Sequence, residues 1–194
     1  MKSINPLFSH NLPDDFRVSQ RPLLNTEVEH YLCKTIPDKN YFVGVYSADV
    51  VPWDDLEERY DKRERYGVIL NFDKLKQPGS HFVALACNEH GLFYYDPLGL
   101  STPEFIEEVK EHRAVLWSNI FSTPHQNINS STCGYFNIWF ILAHYVHVPS
   151  HIEMEHLYRL LTQAGNGDQI KNEAEALQSI LDYKDIIDAN LNNK

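Results

Sequence analysis

Hydrophobic positions along the chain form two kinds of pattern, one typical of strands and one typical of helices. Short runs rich in β-branched and aromatic residues, bounded by turn residues, predict β-strands. The segment between the first two runs is charged and contains Pro52, so we expect a loop there. The predicted strands are residues 41–46, 66–72, 81–87, 92–96 and 115–120.

Helix-start signals and helical spacing of apolar residues predict the helices. Residues 26–29 (TEVE) match a capping box, so a helix is expected to begin at Thr26, and Pro37 is expected to end it. From Cys133 to Val148 nearly every position is apolar on all faces, which predicts a helix buried in the middle of the fold. Further helices are predicted at residues 102–113, 153–164 and 170–189.

These elements predict an α+β fold with a mixed, mainly antiparallel central sheet. The Cys133 helix is expected to pack across the sheet, with the other helices around its edge. Residues 1–24 contain three prolines and show no clear period, so we interpret them as an N-terminal arm. Residues 25–194 are interpreted as one domain, of which residues 150–194 form a C-terminal helical extension.

Composition narrows the class of function. No window reaches the roughly 20 apolar residues that a membrane span needs, and the first residues lack the apolar core of a signal peptide. We therefore expect no membrane partner and no secretion by that route. The net charge of −10 argues against a broad nucleic-acid surface. Three widely spaced cysteines, an odd number, indicate a reducing compartment.

The predicted hairpin suggests a catalytic pair. If Cys87 to His90 form its loop, antiparallel counting places His81 directly opposite Asp96. Residues opposite each other share a face of the sheet, so the imidazole and the carboxylate can meet. A carboxylate on one ring nitrogen fixes the tautomer and leaves the other nitrogen to accept a proton.

Cys133 is the candidate nucleophile for that base. It lies at the expected start of the buried helix, where the helix dipole and unpaired backbone amides favour a thiolate, and residues 130–132 (SST) offer caps. Gln126, in the preceding loop, supplies a neutral amide that could join the Cys133 N–H in holding an oxyanion.

The order and spacing of these residues resemble a known family. Gly79-Ser80-His81-Phe82, Asp96-Pro97-Leu98-Gly99, Gln126 and Cys133-Gly134 follow one another in the order His, Asp, Gln, Cys. The chain resembles the adenovirus-protease-like cysteine peptidases, whose fold and site are similar to those of the SUMO-specific proteases. The resemblance covers roughly residues 25–150, and Gln126 lies seven residues before Cys133 as that family's pattern implies.

The resemblance implies a viral cysteine endopeptidase that cleaves capsid or other structural precursors during virion maturation. A virophage or a Polinton-type virus is the implied setting, and the virion and the infected-cell interior are the implied locations. No metal or organic cofactor is expected. Alternatives of the same clan are a deubiquitinase or deSUMOylase-like peptidase and a cysteine-dependent acetyltransferase. A catalytically dead scaffold is the non-enzyme alternative.

The chain also departs from the family pattern. Phe82 stands where relatives carry Trp, and Asp96 matches the SUMO proteases rather than the adenoviral Glu. The adenoviral enzyme is basic and is activated by DNA and a disulfide-linked peptide, whereas this chain is acidic and has no cysteine between Cys87 and Cys133. DNA is therefore not expected as a strong cofactor, and an activating peptide would bind noncovalently.

The other histidines and cysteines of the chain are weaker candidates for catalysis or metal binding. His125 and His90 are expected to be surface residues because local geometry supplies neither with a carboxylate. Cys33 is expected on the apolar stripe of the first helix and Cys87 near a strand end, both as ordinary small hydrophobes. A metal site on the histidines near the end of the Cys133 helix is not expected because Pro149 interrupts that helix.

Overall fold

A computed structural model of the protein describes residues 22–75, 81–100, 115–118, 124–165 and 169–192. These residues form an α+β fold, as predicted. In chain order the elements are α1 (Asn25–Thr35), β1 (Phe42–Ser47), α2 (Trp53–Asp61), β2 (Tyr66–Asn71), β3 (Phe82–Asn88), β4 (Gly91–Tyr95), β5 (Val115–Ser118), α3 (Cys133–His147), α4 (His151–Gly165) and α5 (Gln169–Asn192).

One mixed sheet forms the centre, with its strands in the order β1-β2-β3-β4-β5. The middle strand, β3, runs antiparallel to both of its neighbours, β2 and β4. Each outer strand is parallel to the strand beside it. All residues of β2 and β3 are buried. Both faces of the sheet are therefore covered, which explains why these strands are continuous apolar runs rather than alternating ones.

Helix α3 packs across one face of the sheet, and α2 covers the other through Leu56. Every α3 residue from Cys133 to His144 is buried, as the all-round apolar pattern predicts. Helix α5 packs along α3 and α4, so α3 lies between the sheet and the C-terminal helices. Within the parts of the chain that are described, no helix combines the length and apolarity needed to cross a membrane.

Two local predictions near the N-terminus were wrong. Helix α1 begins at Asn25 with Leu24 as its N-cap, and the carboxylate that accepts the N-cap N–H (2.8 Å) is that of Glu27 rather than Glu29 of the predicted box. Its Cys33 is exposed and does not lie on the apolar stripe. Residues 1–21 of the predicted arm lie outside the described residues.

The charged segment predicted as a loop contains helix α2. Pro52 stands at its N-cap position, where the missing N–H costs nothing, so the proline starts the helix instead of breaking it. Asp54 and Asp55 lie in the first turn, where the helix dipole favours acidic side chains. Asp55 also pairs with Arg59 one turn later (2.9 Å).

The β3–β4 hairpin exists, but its predicted register was wrong by two residues. Asn88 pairs with Gly91, so only Glu89 and His90 form the turn. The Asn88 side chain accepts the His90 N–H (2.8 Å), and Gly91 adopts φ +128°, which closes this shorter turn. A shift of two residues keeps every side chain on its predicted face.

The remaining elements agree with the sequence where they are described. Strand β5 covers four residues of the strand predicted at 115–120, and α4 and α5 extend the two predicted C-terminal helices at both ends. The helix predicted at residues 102–113 lies outside the described residues.

The close packing of β2 on α3 predicts a measurable effect on stability. A Cβ added at Gly67 would lie 2.9 Å from Ile141 Cδ1. Gly67→Ala should therefore lower the free energy of unfolding by about 1–3 kcal/mol through overpacking. Ile141→Val removes the clashing methyl, so the double variant should lose less than the sum of the two single changes. Denaturant unfolding measures all four proteins, and strictly additive losses would contradict this packing.

Candidate active site

His81 and Asp96 meet where β3 begins and β4 ends. His81 Nε2 and Asp96 Oδ1 are 2.7 Å apart, and both side chains are buried. The Asp96 carboxylate also accepts the backbone N–H groups of Leu98 (2.8 Å) and Leu100 (3.1 Å). These amides stabilise a fully buried negative charge and fix its orientation. Although the register differs from the predicted one, the predicted pair is present.

Cys133 faces the same imidazole from the first residue of α3. Its side chain lies close enough to His81 to raise the pKa of the imidazole. Because Nε2 is committed to Asp96, Nδ1 is the ring nitrogen left for the thiol. The structure thus places a carboxylate, an imidazole and a thiol in sequence, with the thiol at a helix N-terminus.

The surroundings of His81 stabilise its protonated form. Burial by itself lowers the pKa of the imidazole, but hydrogen bonds and charge from Asp96 and Cys133 outweigh burial and raise the pKa from 6.5 to about 9. At neutral pH both ring nitrogens therefore carry a proton. Nε2–H is directed to Asp96, and Nδ1–H is available to the Cys133 side chain. An imidazolium of this kind can stabilise a thiolate and later donate its proton.

Gln126 lies in the segment that joins the two halves of the site. Its own N–H and that of His125 both donate to Pro97 O (3.0 Å each), directly after Asp96. Its side-chain Nε2 donates to Ser130 O (2.8 Å), three residues before Cys133. No hydrogen bond among the described residues joins Gln126 directly to His81, Asp96 or Cys133. The structure therefore anchors Gln126 beside the site without pairing it to the other three residues.

His125 is fully buried, so the prediction of a surface histidine was wrong. Its Nδ1 is 2.6 Å from the Tyr95 hydroxyl, and its ring packs on Tyr158 of α4 with centroids 3.9 Å apart. Burial lowers the pKa of His125 to about 3, so the ring is neutral at physiological pH. These contacts hold the Gln126 loop against both β4 and the C-terminal extension.

The predicted serine and threonine caps of α3 were also wrong. Thr132 occupies the N-cap position, but its side chain makes no cap hydrogen bond and instead pairs with Ser130 Oγ (2.9 Å). The first N–H groups of a helix have no acceptor within the helix. The start of α3 is therefore suited to an anion at Cys133.

Two residues that contact the start of α3 were missed by the sequence interpretation. Asn137 donates its side-chain amide to Cys133 O (2.8 Å) and Phe82 O (2.9 Å). Leu23 packs on Gly134, where an added Cβ would lie 3.0 Å from Leu23 Cδ1. An amide between the apolar residues of a predicted buried helix is the signal that could have identified Asn137.

The other cysteines lack such surroundings. Cys33 is exposed on α1. Cys87 is buried in the sheet, and burial raises the pKa of its thiol to about 11. The prediction that Cys33 lies on an apolar stripe was wrong, whereas Cys87 lies near the end of β3 and is buried, as a small hydrophobe is expected to be. Of the three thiols, that of Cys133 is the one beside an imidazole.

The described residues do not contain three His, Cys, Asp or Glu side chains grouped as a metal site requires. The chain matches no protein-family model, and no curated protein is significantly similar to it. Support for a function of this chain therefore comes from the geometry of the site itself.

The raised pKa of His81 can be tested directly. The imidazole should titrate near pH 9 in NMR spectra, assigned by loss of the signal in His81→Gln. Both Asp96 and Cys133 raise this pKa, so Asp96→Asn and Cys133→Ala should each move the midpoint to lower pH. His90, which is exposed, serves as the internal control. A His81 midpoint near 6.5 that neither variant changes would contradict the described geometry.

Proposed function

We propose that this chain is a cysteine endopeptidase with Cys133 as its nucleophile. The observation that carries the proposal is the buried His81–Asp96 pair (2.7 Å) with the Cys133 side chain on the same imidazole. A carboxylate, an imidazole and a thiol in this relation form the constellation used in acyl transfer by cysteine peptidases. The order of the residues supports the adenovirus-protease-like class.

The reaction has two halves, in which a thioester is first formed and then hydrolysed. The Cys133 thiolate attacks the peptide carbonyl carbon, so a C–S bond forms and the carbonyl electrons move to oxygen. His81 then gives its proton to the amine nitrogen as the C–N bond breaks. Water, deprotonated by the now neutral His81, attacks the thioester, and the C–S bond breaks to release the acid and regenerate the thiolate.

The oxyanion formed in each half would be held by the Cys133 N–H and by Gln126. The Gln126 amide carries two N–H donors, of which one is directed to Ser130 O. The second is the donor proposed for the oxyanion. Two backbone hydrogen bonds to Pro97 O fix the loop that carries this amide beside Asp96.

We propose structural precursor proteins of a virion as the substrates. Resemblance to the adenoviral enzymes supports this class, and cleavage beside glycine after a hydrophobic residue is the corresponding preference. Incubation with candidate precursors, followed by identification of new termini, tests it. Labelling by a ubiquitin Gly-Gly-aldehyde probe, without cleavage of the precursors, would instead assign the chain to the deubiquitinase-like peptidases.

Replacement of the nucleophile gives the simplest test of activity. Cys133→Ala should abolish cleavage of a fluorogenic peptide library while the melting temperature changes little, because the substitution removes only the sulfur atom and keeps the Cβ at this helix position. Cys33→Ala is the matched control, since Cys33 is exposed on α1. Turnover by Cys133→Ala at the wild-type rate would refute the nucleophile assignment.

The oxyanion role of Gln126 has its own kinetic signature. Gln126→Ala should lower kcat by about 10²–10³ and change KM much less, because the interaction forms only when charge develops on oxygen. Asn127→Ala alters the adjacent residue, which bonds the Asn129 N–H (2.8 Å), and should retain kcat. Equal rates for the two variants would exclude Gln126 from the oxyanion site.

A further inference from the structure

Asn137 is a buried amide in the first half of α3, where its neighbours on the helix are mostly apolar. Its side chain has no exposed surface. Nδ2 donates to two carbonyl oxygens, while Oδ1 has no hydrogen-bond partner among the described residues. Burying an amide with one atom unsatisfied destabilises a fold compared with an apolar side chain. Packing alone therefore does not account for an amide at this position.

The sheet leaves one carbonyl at the site without a strand partner. His81 O accepts the Phe72 N–H (2.9 Å) on the β2 side, so the next carbonyl, that of Phe82, is directed to the β4 side. Extending the β3–β4 register from Ala84 and Tyr95 by two residues would place Pro97 opposite Phe82. Proline has no N–H to donate. Asn137 Nδ2 donates to this carbonyl from the helix (2.9 Å).

The second bond of the same amide ties this strand end to the nucleophile. Asn137 lies one turn after Cys133 and donates to Cys133 O at 2.8 Å. One nitrogen atom thus joins the backbone of Cys133 to the backbone of the residue that follows His81.

We propose that Asn137 is a positioning residue that holds the His81 end of β3 at a fixed distance from Cys133. The role rests on the proposed cysteine-peptidase function, but the alignment of the two side chains can be measured without any substrate. Misplacement of reacting groups by about 1 Å can cost roughly 100-fold in rate. Loss of the bridge should therefore affect kcat far more than KM.

The opposite end of the same strand and helix provides a matched control. Asn88, the last residue of β3, donates its amide to Pro149 O (2.9 Å), just beyond α3. Its Nδ2 also lies 3.4 Å from His144 Nδ1. Both ends of β3 are thus linked to α3 or its C-terminal end by a buried asparagine. The Asn88 end is remote from His81 and Cys133.

The experiment compares Asn137→Leu with Asn88→Leu in the full chain. Each variant leaves a buried carbonyl oxygen without its amide donor, so both should lower the melting temperature. Asn137→Leu alone should move the His81 NMR titration to lower pH, slow iodoacetamide alkylation of Cys133 about tenfold or more, and reduce kcat by roughly 100-fold. Equal effects of the two variants on His81 titration and Cys133 alkylation would overturn the proposal.

A milder variant covers the case in which Asn137→Leu fails to fold. Asn137→Ser can still bond Cys133 O one turn earlier, but its short side chain cannot reach Phe82 O. It should show the same shift in titration and alkylation as the leucine variant. A serine variant with wild-type titration and alkylation would overturn the proposal.

Failure of the proposed function would look different. If the wild-type chain cleaves no peptide while Asn137→Leu or Asn137→Ser changes His81 titration and Cys133 alkylation as expected, the peptidase assignment fails. The positioning of Cys133 by Asn137 then stands.

Discussion

Helix α3 is buried from Cys133 to His144, and this burial decides where the sheet and the C-terminal helices must pack. A helix apolar on every side must be covered on every side, and here the sheet lies on one side and the C-terminal helices on the other. That burial fixes where the helix begins. Its first residue, Cys133, consequently lies at the end of the sheet where β3 starts and β4 ends, beside His81 and Asp96.

The site places charge in a buried environment, and its hydrogen bonds offset the cost. Asp96 is fully buried, yet its carboxylate contacts His81 and two backbone amides. Burial of His81 opposes its protonation, but its two partners reverse that effect and raise its pKa to about 9. The Gln126 loop is anchored to the same strand end, so one corner of the sheet organises all four predicted residues.

Much of this arrangement could be predicted because the relevant patterns are local. The period-two rule puts His81 and Asp96 on one face even though the predicted register was wrong by two residues. The error arose in the turn, where the Asn88 side chain closes a shorter loop than counting suggested. Long-range contacts could not be predicted. The burial of His125 depends on Tyr158 of α4. The proposed role of Asn137 depends on the Phe82 carbonyl, which finds no N–H donor on the next strand because the register would place Pro97 opposite it.

We propose that His81 activates Cys133 as a nucleophile, and the chain's own cysteines allow a direct measurement of this activation. Limited alkylation with iodoacetamide at pH 6, followed by peptide mapping, compares Cys133 with exposed Cys33 and buried Cys87 in one sample. An ordinary thiol is almost wholly protonated at that pH. We expect Cys133 to react first despite its burial, and His81→Gln to remove this preference. Faster labelling of Cys33 in the wild-type protein would contradict it.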